Sequence, residues 1–191
     1  MNNRGMARAR ELREQGIDAT TISRAVKAGD IEQVARGLYQ KPETDVDLHR
    51  SLIEASQQAP KGVIAMQTAL AYHDLTDQMP RKIWIAIGKH DWAPQISYPP
   101  TRIIRFTQTY FENGIEYHAI SGVKVPVYSI AKTLADLFRN TRISDRSVAI
   151  EGLRKALSQK KTSPAAIASA AKENGAWKQM QPYLEALTSY D

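Results

Sequence analysis

Cysteine is absent from this sequence, so no disulfide and no thiolate metal site can form. That absence suits a reducing compartment, and the expected location is cytoplasmic. Four histidines remain as soft ligands, His49, His73, His90 and His118. They stand singly, without the spacing that clamps a metal. No apolar run approaches the ~20 residues of a membrane span, and the opening MNNRGMARAR lacks the apolar stretch of a secretory signal. Neither common glycine-rich phosphate loop occurs, so no cofactor is expected. The Glu-x-Lys and Asp-x-Lys patterns that carry metal-holding carboxylates on nuclease strands are missing too. His73-Asp74 is the one adjacent pair that resembles a base with its orienter. Neighbours on a helix do not face one another, and no nucleophile can be tied to them, so a capping role is expected instead. The sequence assigns no catalytic residue and no metal ligand, and the chain is not expected to be an enzyme.

Positive charge is in excess: 26 Lys and Arg stand against 20 Asp and Glu, a net +6 over 191 residues. Such a balance is a weak pointer to a polyanionic partner, and its distribution says more. Residues 1–41 carry eight basic and five acidic side chains, and residues 132–161 carry eight and three. The rest of the chain is close to neutral. Two segments therefore hold the excess.

The spacing of Met6, Ala9 and Leu12 predicts a helix over 6–15, stopped by Gly16. Asp18 is a good N-cap for a second helix over 19–28, which Gly29 ends. Two short strands follow, 31–34 and 38–40, joined through Ala35-Arg36-Gly37. After Lys41-Pro42 the polar run Glu43-Thr44-Asp45 is the expected boundary, giving domains over 1–42 and 43–191. In the larger domain, helices are predicted over 48–59 and 67–75. The run at 83–87 is apolar at every position and predicts a strand covered on both faces. A second strand is expected over 102–107, and a hairpin over 115–120 and 123–128 around Ser121-Gly122. The last third reads as helices over 130–139, 147–159 and 164–174, then a final apolar face at Trp177, Met180, Leu184 and Leu187. The fold class is thus α+β: a winged helix-turn-helix, then a larger α+β domain with about four strands and a helical end.

Helix, glycine-bearing turn, helix and wing form an arrangement with a definite use. One helix fits the major groove, ~12 Å wide, and its outward side chains meet base edges. Thr20, Thr21, Ser23, Arg24 and Lys27 lie on the outer face of the second helix, all short or cationic donors with no acid among them. Arg36 occupies the wing tip, where an arginine reaches the phosphate backbone or the adjacent minor groove. The plainer account is that a polar helix face is simply the wet side. In the second basic segment, Arg139, Arg142, Arg146, Arg154 and Lys155 offer a possible second phosphate-contacting surface; as solvated helix ends they would need no ligand. Asp136 sits one position from an apolar stripe and is expected to pair with Lys132, four residues earlier. Trp84 and Trp177 read as core, and Trp92 as the exposed indole.

The sequence resembles the AbiEi family of antitoxins from type IV toxin–antitoxin and abortive-infection systems. The likeness runs through GDIEQVARGLYQKP (29–42), GVIAMQTALAYHDLTDQMPRKIWIAI (62–87), VPVYSIAKTLADLF (125–138) and PYLEAL (182–187), in that order. It implies a winged-helix DNA-binding module with Thr20 to Lys27 as recognition helix and Arg36 as wing contact, joined to a C-terminal antitoxin domain. It implies repression of the chain's own operon through double-stranded operator DNA bearing inverted repeats. It implies, too, a cognate nucleotidyltransferase-like toxin, counteracted without a tight complex. One departure stands out: the family's module carries a further helix before this point, whereas five residues precede Met6. Two other functions stay open, a stand-alone transcriptional regulator without a toxin partner and a nucleic-acid-modifying enzyme.

Overall fold

The computed structural model describes residues 6–28, 31–35, 37–40 and 48–189. Gly29, Arg36 and the polar 43–45 connection lie outside them. The chain divides into two units, Met1–Val46 and Asp47–Asp191.

In the first unit the order is β1 (Met6–Arg8), α1 (Ala9–Glu14), α2 (Ala19–Ala28), β2 (Glu32–Ala35) and β3 (Leu38–Gln40). The helix expected over 6–15 is therefore shorter and begins at Ala9. Met6, Ala7 and Arg8 instead pair antiparallel with Gln40, Tyr39 and Leu38, completing a three-stranded sheet of order β1-β3-β2. A threefold apolar spacing over so few residues does not distinguish a helical turn from a strand; the pairing partner decides. The Ala9 amide continues the link by donating to the Gly37 carbonyl at 2.8 Å.

α1 stops where Gly16 turns to φ +83°, a conformation glycine adopts without a Cβ penalty. The amides of Gly16 and Ile17 then close the turn onto the carbonyls of Arg13 and Leu12, both at 2.9 Å. α2 starts on Asp18, whose Oδ1 accepts the Thr21 amide at 2.6 Å while its carbonyl accepts the Ile22 amide at 3.0 Å. The Thr21 backbone hydrogen bond holds the Asp18 carboxyl below its ordinary value. Ile22 turns inward and is 4% exposed.

The second unit is built on a five-stranded mixed sheet of order β6-β5-β4-β8-β7. Its elements are α3 (Leu48–Gln58), β4 (Val63–Ile64), α4 (Met66–Tyr72), β5 (Ile83–Gly88), β6 (Thr101–Phe106), α5 (Gln108–Phe111), β7 (Ile115–Ile120), β8 (Val123–Tyr128), α6 (Ile130–Arg139), α7 (Arg146–Ser158), α8 (Pro164–Glu173) and α9 (Trp177–Thr188). The strand missed by sequence is β4. Two residues are too few to show a period, yet they lie at the sheet's centre, antiparallel to β5 and parallel to β8. β5 is buried along its whole length. One of its faces meets Leu52, Ala55 and Ala59 around α3, and the other meets the core shared by α4 and α6–α9. At the β7–β8 hairpin, Ser121 and Gly122 both take positive φ, 47° and 80°, as a two-residue turn matched to strand twist requires. No helix among the described residues is long and apolar enough to cross a membrane.

α6 runs through the core, capped by Ser129, whose Oγ accepts the Lys132 amide. Lys132 Nζ lies 2.7 and 2.8 Å from the two carboxylate oxygens of Asp136, with the side chains 1% and 0% exposed. Arg139 Nη2 reaches the same carboxylate at 3.3 Å. The Lys132 ammonium stands 4.8 Å from the ring centres of both Phe106 and Tyr128, and the Arg139 guanidinium 4.0 Å from that of Tyr110. Burial pushes the Asp136 carboxyl up and the Lys132 ammonium down, while their mutual attraction opposes both. The Tyr128 hydroxyl donates to the Phe111 carbonyl at 2.7 Å, and its pKa too is raised by burial.

Two outcomes follow from these contacts. Lys132→Ala or Asp136→Ala alone should destabilise the chain by about 3–5 kcal/mol, since each strands a buried partner. The joint change Lys132→Met with Asp136→Leu should cost less than either single change; urea unfolding in which the losses simply add would show that the two do not act as a pair. For the cap, Asp18→Ala should lower hydrogen-exchange protection at the Thr21 and Ile22 amides, whereas Asp18→Asn should keep it. In the native chain this contribution is complete above the ordinary aspartate value. It is lost as pH falls through the lowered value of the folded state, an acid transition that Asp18→Asn must lack.

Candidate nucleic-acid interface

α2 is short and contains no acidic residue. With Ile22 buried and Ala25 and Val26 half-buried, the remaining positions have little choice of direction. Thr20, Thr21, Ser23 and Arg24 are all exposed. Arg24 has no ion-pair partner among the described residues. Lys27 lies in the last turn of the same helix, and Arg36 falls outside the described residues. The outcome is one outward face of hydroxyls and a guanidinium without an ion-pair partner among the described residues, on a helix whose first turn is held by Asp18. On α1, by contrast, Arg10 is occupied by Glu14 at 3.3 Å, one turn away.

The second basic segment is not one surface. Arg139 belongs to the buried Asp136 network and lies over the Tyr110 ring. Lys155 is bound by Asp77 at 2.7 Å and by Glu151 at 3.3 Å. These hydrogen bonds, Asp77 first, hold its ammonium pKa up. Arg142, Arg146 and Arg154 are exposed and unpaired among the described residues. Arg154 lines a cavity of about 610 Å³ with Lys160, Ser163 and Leu187. Two of the five candidates thus have structural work already, and the other three have no partner among the described residues.

His73 and Asp74 do separate things. His73 closes the end of α4, and its Nε2–H donates to the Tyr128 carbonyl at 2.8 Å. Burial lowers its pKa, against the raising effect of that hydrogen bond. Asp74 faces solvent, with Lys161 Nζ 3.5 Å away. Among the described residues, no group of three or more His, Asp or Glu side chains could hold a metal ion. Trp84 is 7% exposed and Trp92 97%; Trp177 packs half-buried against the core with Lys172 over its ring. Arg81, Lys82 and Arg102 carry no sequence signature as a group, yet they meet around a second cavity of about 380 Å³. The only hint in the sequence is the Pro-Arg-Lys run at 80–82, because Arg102 arrives from another strand, opposite Trp84.

No curated protein matches the chain. Among solved structures, the crystal structure of the RV2827C protein from Mycobacterium tuberculosis is similar with a TM-score of 0.45 and 13% identity, over 96% of this chain and 76% of that one. Residues 1–41, the stretch that holds α2 and the strands around it, match the AbiEi_4 family model, described as transcriptional regulator, AbiEi antitoxin.

Proposed function

We propose that the chain is a regulatory antitoxin whose first unit is a winged helix-turn-helix that binds operator DNA. The observation that carries this reading is the outward face of α2: Thr20, Thr21, Ser23 and Arg24 exposed together, free of acid, within residues that match an antitoxin and transcriptional-regulator family. In the groove, the short hydroxyl side chains let the helix approach closely and donate to or accept from base edges. Arg24 has the reach and the fork to engage a guanine bidentately, and Lys27 adds a second cation on the same helix for a phosphate. Arg36, between β2 and β3, contacts the backbone or the neighbouring minor groove. The net +3 of residues 1–41 supplies the salt-dependent part of the affinity.

Two copies bound to inverted repeats in the promoter of the chain's own operon would repress it, whether or not they associate in solution. The second unit counteracts a nucleotidyltransferase-like toxin without a tight complex. The chain acts by occupying sites rather than by catalysis. Supporting that last point, the side chains that come nearest to an acid–base pair, His73 and Asp74, are engaged with the Tyr128 carbonyl and with Lys161.

The test is a gel shift on the chain's own upstream region at two salt concentrations. Arg24→Ala or Lys27→Ala should weaken binding by ~1–3 kcal/mol if the residue reads a base. A residue that meets a phosphate should instead reduce the salt slope by about one. Unchanged affinity and slope in both variants would remove α2 from the interface.

A further inference from the structure

The cavity beside Trp84 has the composition of a ligand site, and all its lining residues belong to the second unit. At about 380 Å³ it falls in the range of small-molecule pockets. Three cationic side chains line it, Arg81 and Lys82 from the loop before β5 and Arg102 from β6. None is ion-paired among the described residues, and no carboxylate lines the cavity. The two acidic residues of the same loop are paired elsewhere, Asp77 with Lys155 at 2.7 Å and Asp74 with Lys161 at 3.5 Å. A cluster of three cations without a counter-charge repels itself and favours an anion of matching charge.

Arg102 is also oriented. It stands opposite Trp84 in the β5–β6 ladder, with its guanidinium 4.3 Å from the indole ring centre. A guanidinium held over an indole is positioned without using up its N–H donors, which suits bidentate phosphate binding. Gln67 lines the same cavity and is held by its own contact, Nε2 donating to Ser144 Oγ at 3.0 Å. Met79, Pro80 and Val148 provide an apolar wall between these polar ends, and Met79 is 58% exposed. A thioether beside an open cavity favours a planar ring.

We propose that this cavity binds a nucleoside polyphosphate. Its phosphates sit on Arg81, Lys82 and Arg102, and its base packs on the Met79–Pro80 wall. A simple sugar phosphate or an inorganic polyphosphate would leave the apolar wall bare.

Titration calorimetry on the full chain, with ATP, GTP, CTP and UTP in turn and with inorganic tripolyphosphate and glucose 6-phosphate as comparisons, tests the proposal. At least one nucleotide should bind more tightly than either comparison ligand. Joint replacement Arg81→Ala and Lys82→Ala, both exposed, should weaken it by about tenfold or more. Met79→Ala should weaken the nucleotide but leave tripolyphosphate unchanged, and Arg154→Ala, in the other cavity, should alter neither. Absence of nucleotide binding at millimolar concentration overturns the proposal. So does nucleotide affinity indifferent to the Arg81 and Lys82 changes, and tripolyphosphate binding as tightly as every nucleotide rejects the nucleoside half. Since none of these side chains belongs to the α2 face, the result is independent of whether the upstream DNA binds.

Discussion

A carboxylate inside an apolar core governs how the second unit is put together. Asp136 has no solvent to stabilise its charge, so the fold must supply cations at contact distance, and it supplies two. Both come from α6 itself, at positions four before and three after, which one face of a helix brings together. The cations then need surroundings of their own. Phe106 of β6, Tyr110 of α5 and Tyr128 of β8 provide aromatic faces, so one charged helix is registered against three other elements. A buried pair of this kind gives little net stability compared with apolar packing. Its effect is on geometry: sliding α6 by a turn would keep the ion pairs, which lie within the helix, but would take the Lys132 and Arg139 cations off the rings of Phe106, Tyr128 and Tyr110.

How much of this was legible in the sequence depends on whether the partner is near or far along the chain. Lys132 and Asp136 are four apart, and their pairing could be anticipated from spacing. So could the strand at 83–87, because a run apolar at every position has no wet face, and the Ser121-Gly122 hairpin, because the turn needs positive φ twice. The Ser163-Pro164 helix start is equally local, with Ser163 Oγ accepting the Ala166 amide. Long-range pairing was the blind spot. Met6–Arg8 has an ordinary helical spacing and becomes a strand only because Leu38–Gln40 offers an open edge. Val63–Ile64 is too short to signal anything, yet it joins the two halves of the sheet.

The same distinction sorts the candidate sites. Counting charges in 132–161 treats Arg139 and Lys155 like Arg142, Arg146 and Arg154. The structure separates them by partners that the local sequence does not contain: Tyr110 and Phe106 for Arg139, Asp77 for Lys155. A formal charge excess is thus an upper bound on the charge left for a ligand. On α2 the local reading fares better, because a ten-residue helix with one buried isoleucine and no acid has its outer face fixed by periodicity alone.

On the proposed reading, the size of that face limits what one copy of the chain can do. Hydroxyl side chains on Thr20, Thr21 and Ser23 discriminate poorly between bases, since they donate and accept with equal ease. Arg24 is the strongest candidate for reading a single base, and a wrong base there costs about 1–3 kcal/mol. That is far short of the ~4–10 kcal/mol separating specific from non-specific binding in working repressors. The deficit is met by duplication: a second copy on a symmetric half-site doubles the read positions and the phosphate contacts without any change to the helix. A recognition face this modest is therefore consistent with an operator of inverted repeats, and it ties regulation to the concentration of the chain itself, because occupancy by two copies rises more steeply than occupancy by one.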